Sequence, residues 1–339
     1  MSGLPLETVR IDGVEDVHRL LDGASSTCVP LGSGVPHGTL LLGSLGDIFL
    51  RAGELSMDVR GTAAFEDESR ILLDMKLDSE SRLFSLRSGR DVLAGDVYVV
   101  CPGDVVDYRL TGNMSFAILS VTADLLLRQA GEDAPRCDIE FWNQRRWFRA
   151  PPATRALIAT SVQRIVSDIV HADSPITGAA LGQLQAELLE AFMWGIMLHE
   201  NKSSERHALS GAAIVRRVDE WVDGRAPETI HIGDLCRELH LSRRTLQRAF
   251  TETLGIGPAR YLANRRLIAV RAELRRADPS EMRVTDTATK YGFWQLGRFA
   301  RDYRVMFGEC PSETLNRPMP EKRGRGTHSG RAADLAQTA

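Results

Sequence analysis

Residues 230–255 read IHIGDLCRELHLSRRTLQRAFTETLG, and this stretch decides the architecture of the C-terminal part of the chain. A short helix is predicted from about Ile232 to Leu239, followed by a tight turn. Ser242, a strong N-cap residue, opens a second helix that runs to about Leu254. Leu235, Leu239, Leu246 and Phe250 close a small core between the two helices. That leaves Arg243, Arg244, Gln247 and Arg248 on the outer face, at the N-terminal end of the second helix. Arg hydrogen-bonds guanine and Gln adenine in a DNA major groove, and the amides and dipole of a helix N-terminus favour phosphate. The pattern is that of a helix-turn-helix unit, whose second helix carries the reading residues.

Working outward, GPARYLANRRLIAVRAELRRA follows, opened by Pro258 and stopped by Asp278-Pro279. At 1.5 Å per residue, some twenty residues span roughly 30 Å, close to the ~34 Å of one DNA turn. The motif then repeats in VTDTATKYGFWQLGRFARDYRVMFGECP, residues 284–311. A helix is predicted from about Thr285 to Tyr291, a turn at Gly292, and a helix from about Gln295 to Phe307. Gly292 suits a left-handed helix terminus, and Phe293, Phe299, Tyr303 and Phe307 supply the apolar side. Arg298, Arg301 and Arg304 project on the other faces. Arg301 could instead brace the fold through Asp286 or Asp302. One such pattern is a common packing unit, whereas two, spaced by a helix one DNA turn long, are far more specific.

Toward the N-terminus, residues from about Gly38 to Asp124 read as β-rich. Short apolar runs such as TLLLGSLGDIFLRAG, ILLDMKLDS, VYVVCPGDVVDYRL and MSFAILSVTA are punctuated by Gly, Asn, Asp and Pro. A small barrel or sandwich is expected. From Pro151 the period becomes helical, with Leu157, Ile158, Val162, Ile165, Val166 and Ile169 on one face and Arg164 and Asp168 opposite. A second amphipathic helix after residues 173–178 carries Leu181, Leu184, Leu188, Leu189, Phe192 and Ile196. These stripes read as core, with a dimer seam through the 155–200 helices as the alternative. The expected organisation is therefore α+β. It comprises a sensor and dimerisation domain over residues 1–200 and a linker over 201–210. An all-α DNA-binding domain over 211–317 and a disordered tail over 318–339 complete it. Lys322, Arg323 and Arg325 in that tail could touch phosphate.

Composition bounds the rest. The chain has 339 residues and a net charge of −3, yet residues 241–317 hold 15 Lys and Arg against 8 Asp and Glu. The positive charge is concentrated in the predicted reading region, as nucleic-acid binding requires. There is no run long and apolar enough to span a membrane and no secretory leader, so a cytoplasmic protein is expected. Cys28, Cys101, Cys137, Cys236 and Cys310 are odd in number and unpaired in spacing, which points to neither a disulfide framework nor structural zinc. No histidine lies between Gly38 and Asp124. No metal or other cofactor is expected, and a dry cavity for a small organic molecule is the better reading of the β-rich part.

The stretch from Ile232 to Leu315 closely resembles the DNA-binding domain of the AraC/XylS family of bacterial transcription regulators. Ala288, Gly292, Phe293, Phe299, Arg301, Tyr303, Phe307, Gly308 and Pro311 fall where the family pattern wants them. The resemblance implies that one chain reads two adjacent major-groove segments of promoter DNA. Base contacts would come from Arg244, Thr245, Gln247 and Arg248 in the first unit, and from Leu296, Gly297, Arg298 and Arg301 in the second. Leu296 and Gly297 depart from the polar residues usual there. A Leu can meet only a thymine methyl or pack inward. The β-rich part resembles, more loosely, the cupin-like sensor of many members, with GDVYVVCPGDVVDYRL (Gly95 to Leu110) as its strand-turn-strand. The implied function is effector-responsive activation of a neighbouring catabolic operon at the bacterial nucleoid, with RNA polymerase as a partner. The alternatives are a repressor, an architectural DNA binder, and a DNA-repair alkyltransferase fused to a helix-turn-helix domain. The last needs a reactive Cys, and Cys28 in SSTCVPLG has no paired ligand and no activating base in its sequence neighbourhood.

Overall fold

The computed structural model describes residues 5–17, 24–32, 34–65, 67, 69–78, 80–85, 90–130, 147–172, 176, 178–198, 210–223, 225 and 230–317. The expected linker, apart from Ser210, and the expected tail lie outside these residues, as does Cys137.

The first part of the chain is two antiparallel sheets face to face. One has seven strands in the order β1-β3-β4-β11-β6-β9-β12, formed by Glu7–Ile11, His37–Leu45, Ile48–Ser56, Asn113–Val121, Ile71–Lys76, Val97–Val100 and Trp147–Phe148. The other has five in the order β2-β5-β10-β7-β8, formed by Ala24–Pro30, Val59–Phe65, Val105–Thr111, Arg82–Ser85 and Arg90–Val92. The β-rich region thus begins near residue 7 rather than 38. β1 and β2 are polar or small-residue strands, ETVRI and ASSTCVP, and show no clean alternation.

Alternation along β11 explains how one sheet serves two cores. Phe116 and Ile118 face the space between the sheets with Leu40, Leu55, Val59, Leu72 and Leu110. Ala117, Leu119 and Val121 face outward, where they pack with Leu73, Met75 and Val97 against two helices. Short helices α1 (Val14–Val17) and α2 (Ala123–Ala130) flank this part, and the two covering helices are α3 (Pro152–Val170) and α4 (Gly178–Met197). Ile158, Val162, Ile165 and Ile169 of α3 and Leu188, Leu189, Phe192 and Ile196 of α4 are buried there, so the stripes are core. Leu157 is the exception. It is 71% exposed, because a helix on a flat sheet buries a narrower stripe than the sequence pattern suggests.

The C-terminal part is helical: α5 (Ser210–Asp223), α6 (Ile232–Glu238), α7 (Arg243–Leu254), α8 (Pro258–Leu274), α9 (Val284–Lys290), α10 (Leu296–Phe307) and α11 (Pro311–Leu315). It has two cores bridged by α8. Tyr261 and Leu262 enter the first with Leu235, Leu246 and Phe250, while Leu267, Val270 and Leu274 enter the second with Phe299, Tyr303 and Phe307.

The first of these cores is completed from the β-rich part, by Val29 and Leu31. The outer face of the five-stranded sheet lies against the helices, and a buried ion cluster joins them. Arg60 of β5, 2% exposed, sits 2.8 Å from Asp107 of β10 and 2.8 Å from Asp219 of α5. The Tyr261 hydroxyl donates to Asp219 at 2.6 Å and Arg265 donates to it at 3.1 Å, while Arg265 also pairs with Asp223. Asn264 of α8 donates to the Pro30 carbonyl at 2.7 Å.

Removing Arg60 takes away the cation shared by two buried carboxylates, Asp107 and Asp219. Arg60→Ala is expected to cost about 3–5 kcal/mol in urea denaturation. A loss below about 1 kcal/mol would show that water reaches the cluster.

Candidate nucleic-acid interface

The two helix-turn-helix units are built alike. α6 and α9 each have seven residues, and α7 and α10 each have twelve. α7 ends on Gly255 at φ 74° and ψ −3°, and α10 ends on Gly308 at the same angles. Two residues beyond each left-handed glycine comes an extended residue and then a proline that opens the next helix, at Gly257-Pro258 and Cys310-Pro311. By this repeat, Arg248 corresponds to Arg301, Thr245 to Arg298, and Arg243 and Arg244 to Leu296 and Gly297.

Within the first unit, the Ser242 hydroxyl accepts the Thr245 amide at 3.0 Å and caps α7. His240 makes the turn with φ 54°, the one non-glycine positive φ among the described residues. Leu246 and Phe250 are buried, and Arg243, Arg244, Gln247 and Arg248 are exposed on one end of the helix, with Thr245 half-buried beside them. Among the described residues, the Gln247 amide donates to the Thr251 hydroxyl at 3.2 Å and the Thr245 hydroxyl shares a hydrogen bond with the Ser242 hydroxyl at 2.8 Å, which leaves the three arginines turned to solvent.

In the second unit, Gly292 has φ 77° and Phe293 donates its amide to the Ala288 carbonyl at 2.9 Å, closing the turn. Ala288, Phe299, Tyr303 and Phe307 are buried, and Tyr303 donates to Thr314 of α11 at 2.8 Å. Arg298 and Arg301 are 70% and 72% exposed, each 3.5 Å from Asp302. Pairs this exposed contribute little and exchange readily for phosphate or base. Arg301 therefore does not brace the fold, and Asp286 is not its partner. Leu296 is exposed rather than packed inward. The sequence reading overlooked Trp294, which is 77% exposed at the foot of α10. Its signal was an apolar residue following Phe293, the residue that fills the core. Trp294, Arg298 and Arg301 border a cleft of about 730 Å³ between α8 and α10, which Arg260 and Arg266 also line.

Both second helices are held from behind by the β-rich part. Arg109 of β10 donates to the Thr253 carbonyl in the last turn of α7 at 2.9 Å, where a cation meets the negative end of the helix dipole. The Gly34 amide donates to the Val305 carbonyl of α10 at 3.3 Å. The N-terminal ends of α7 and α10 stay open while their C-terminal turns are gripped.

Between the two sheets lies a cavity of about 100 Å³, walled by apolar side chains and by Phe65, Tyr98, Tyr108, Phe116 and Trp147. Strand alternation along β10 turns Tyr108 into the cavity and its neighbours Asp107 and Arg109 onto the helical part. Asp74 of β6 also lines the cavity, and burial pushes its carboxyl up to about 7. Among the described residues, no group of three or more His, Cys, Asp and Glu is placed to hold a metal ion. No described helix is long and apolar enough to cross a membrane. Cys28 is buried, and burial pushes its thiol up to about 12.

A family model described as a helix-turn-helix domain matches residues 235–317. The XylDLEGF operon transcriptional activator 3 of Pseudomonas putida is 35% identical over 136 residues, 40% of this chain and 39% of that protein. A probable thc operon regulatory protein of Rhodococcus erythropolis is 33% identical over 149 residues, 42% of this chain and 44% of that protein. The chain thus spans about two fifths of the length of these relatives. The XylDLEGF operon transcriptional activator 2 of Pseudomonas putida is 34% identical over 113 residues, covering 33% of this chain and 72% of that protein. Among solved structures, the AraC-like transcriptional activator CuxR aligns with 14% identity and a TM-score of 0.41, over 78% of this chain and 94% of its own. Two helix-turn-helix units on a shared helix define a DNA-binding regulator class. The chain belongs to the AraC/XylS family of transcription regulators.

Replacing Ser242 by Ala removes the acceptor for the Thr245 amide. The expected cost is about 1 kcal/mol in urea denaturation. An unchanged midpoint would mean that water caps α7 equally well.

Proposed function

We propose that the chain is a sequence-specific DNA-binding regulator, an effector-responsive activator of a nearby operon, working in the bacterial cytoplasm at the nucleoid. The observation that carries this reading is the matched pair of twelve-residue helices, each open at its N-terminal end and joined through one spacer helix. Arg243, Arg244, Thr245, Gln247 and Arg248 read one major-groove segment, and Arg298 and Arg301 read the next. The repeat supports unequal readers, since the positions of Arg243 and Arg244 are filled by Leu296 and Gly297 in the second unit.

Residues 1–200 form the sensing domain and 211–317 the DNA-binding domain. The effector is a small organic molecule held between the sheets, and β10 carries its effect outward. A shift of Tyr108 on the cavity side moves Asp107, which pairs with the Arg60 that holds Asp219 of α5, and Arg109, which holds α7. Two relatives bear the name of operon transcriptional activators, which supports activation rather than repression, and RNA polymerase is the partner that this reading assigns. Leu157, Trp194 and Met197 remain exposed on α3 and α4 and suit a homodimer seam. An alkyltransferase role has no support, because the buried Cys28 thiol is a poor nucleophile at neutral pH.

Arg248→Ala and Arg298→Ala are each expected to cost about 1–3 kcal/mol at the cognate site, with relaxed preference at the base pairs they read. The check is a competition gel shift against a library randomised at those positions. Equal weakening on every DNA sequence would make these arginines phosphate contacts and not readers.

A further inference from the structure

We infer that the cavity between the sheets recognises a small amine, held by its ammonium group on Asp74 and by its apolar body among the aromatic side chains. The inference rests on the effector reading above and adds the chemical class of the ligand.

Asp74 lies in the middle of β6, between Tyr98 of β9 and Ile118 of β11 in the sheet register. Its neighbours on the same face of β6 are Leu72 and Lys76, so alternation points it between the sheets. It is half-buried and lines the cavity. Among the described residues no hydrogen bond or ion pair reaches its carboxylate. The only influence on its titration is burial, which makes the charged form costly. A carboxylate left in that state favours any ligand that brings a positive charge and N–H donors, and opposes any anion.

Among the described residues that line the cavity, Lys76 is the cation, and it does not serve Asp74. Lys76 donates to the Asp78 carbonyl at 2.6 Å and lies 3.5 Å from the Asp78 carboxylate, so its charge is met at the far end of the strand. On the opposite sheet, Tyr108 keeps its proton, because burial pushes the phenol well above its ordinary value. Five aromatic side chains line the same cavity as Asp74, and Tyr98 and Trp147 meet edge to face with centroids 5.8 Å apart. Aromatic faces beside one carboxylate form the usual environment for an organic ammonium ion. A cavity of about 100 Å³ is small beside the ~300 Å³ and more of drug-sized sites, so the ligand is small.

The test is calorimetry on the full chain at pH 8 with three probes of one shape: benzylamine, benzyl alcohol and benzoate. Benzylamine is expected to bind at least about tenfold more tightly than benzyl alcohol, with benzoate weakest. Asp74→Asn should abolish the preference for the amine and leave benzyl alcohol unchanged. The order of the three probes on the unaltered chain stands even if that variant does not fold. Benzoate binding as well as benzylamine, an amine preference that survives Asp74→Asn, or no binding by any probe would each overturn the inference. Binding is read without DNA. A chain that holds benzylamine through Asp74 yet shows the same promoter affinity with and without it would refute the effector role while leaving this site standing.

Discussion

Arg60 is the point at which the molecule becomes one body. Taking a guanidinium and two carboxylates out of water is expensive, and only short contacts to both Asp107 and Asp219 recover that cost. Tyr261 and Arg265 complete the partners of Asp219, and both come from the helix that carries both helix-turn-helix units. The cluster sits where the five-stranded sheet, α5 and α8 meet. It therefore fixes the orientation of the spacer helix against the two sheets. Val29 and Leu31 make the same junction part of the first helical core.

The consequence for function lies in how a β-strand distributes its side chains. β10 has Tyr108 against the cavity and Asp107 and Arg109 against the helices, one residue apart. Under the proposed function, no long relay is needed between a ligand in the cavity and the back of α7. A strand cannot turn one face without turning the other, and packed interfaces move between discrete arrangements rather than by gradual deformation. Arg109 and Gly34 contact the C-terminal turns of α7 and α10, so the β-rich part bears on the back of both second helices, and under the proposed function that is where it would change the angle between them.

Much of the helical part was legible in the sequence because its signals are local. Ser242 caps, Gly292 and Gly308 terminate, Pro258 and Pro311 initiate, and Leu235, Leu246, Phe250, Phe299 and Tyr303 keep a helical period. The sheets were legible in kind but not in extent. β1 and β2 owe their conformation to partners far along the chain, and strand propensity is weak evidence when tertiary pairing decides. Leu157 was misplaced for a similar reason, since the width of a buried stripe depends on what covers it. The meeting of Arg60, Asp107 and Asp219, and the isolation of Asp74, are long-range facts. No spacing rule connects residues on four separate elements, so neither was visible before the fold.

The central claim is that one chain reads two adjacent major-groove segments through paired helices. Its most direct test is to select binding sites from random DNA with the full protein and then insert five base pairs, half a turn, between the two selected segments. The account predicts two blocks of preferred sequence about one helical turn apart, and a loss of binding on insertion because α8 cannot follow the rotation. A single block, or affinity indifferent to the insertion, would contradict it.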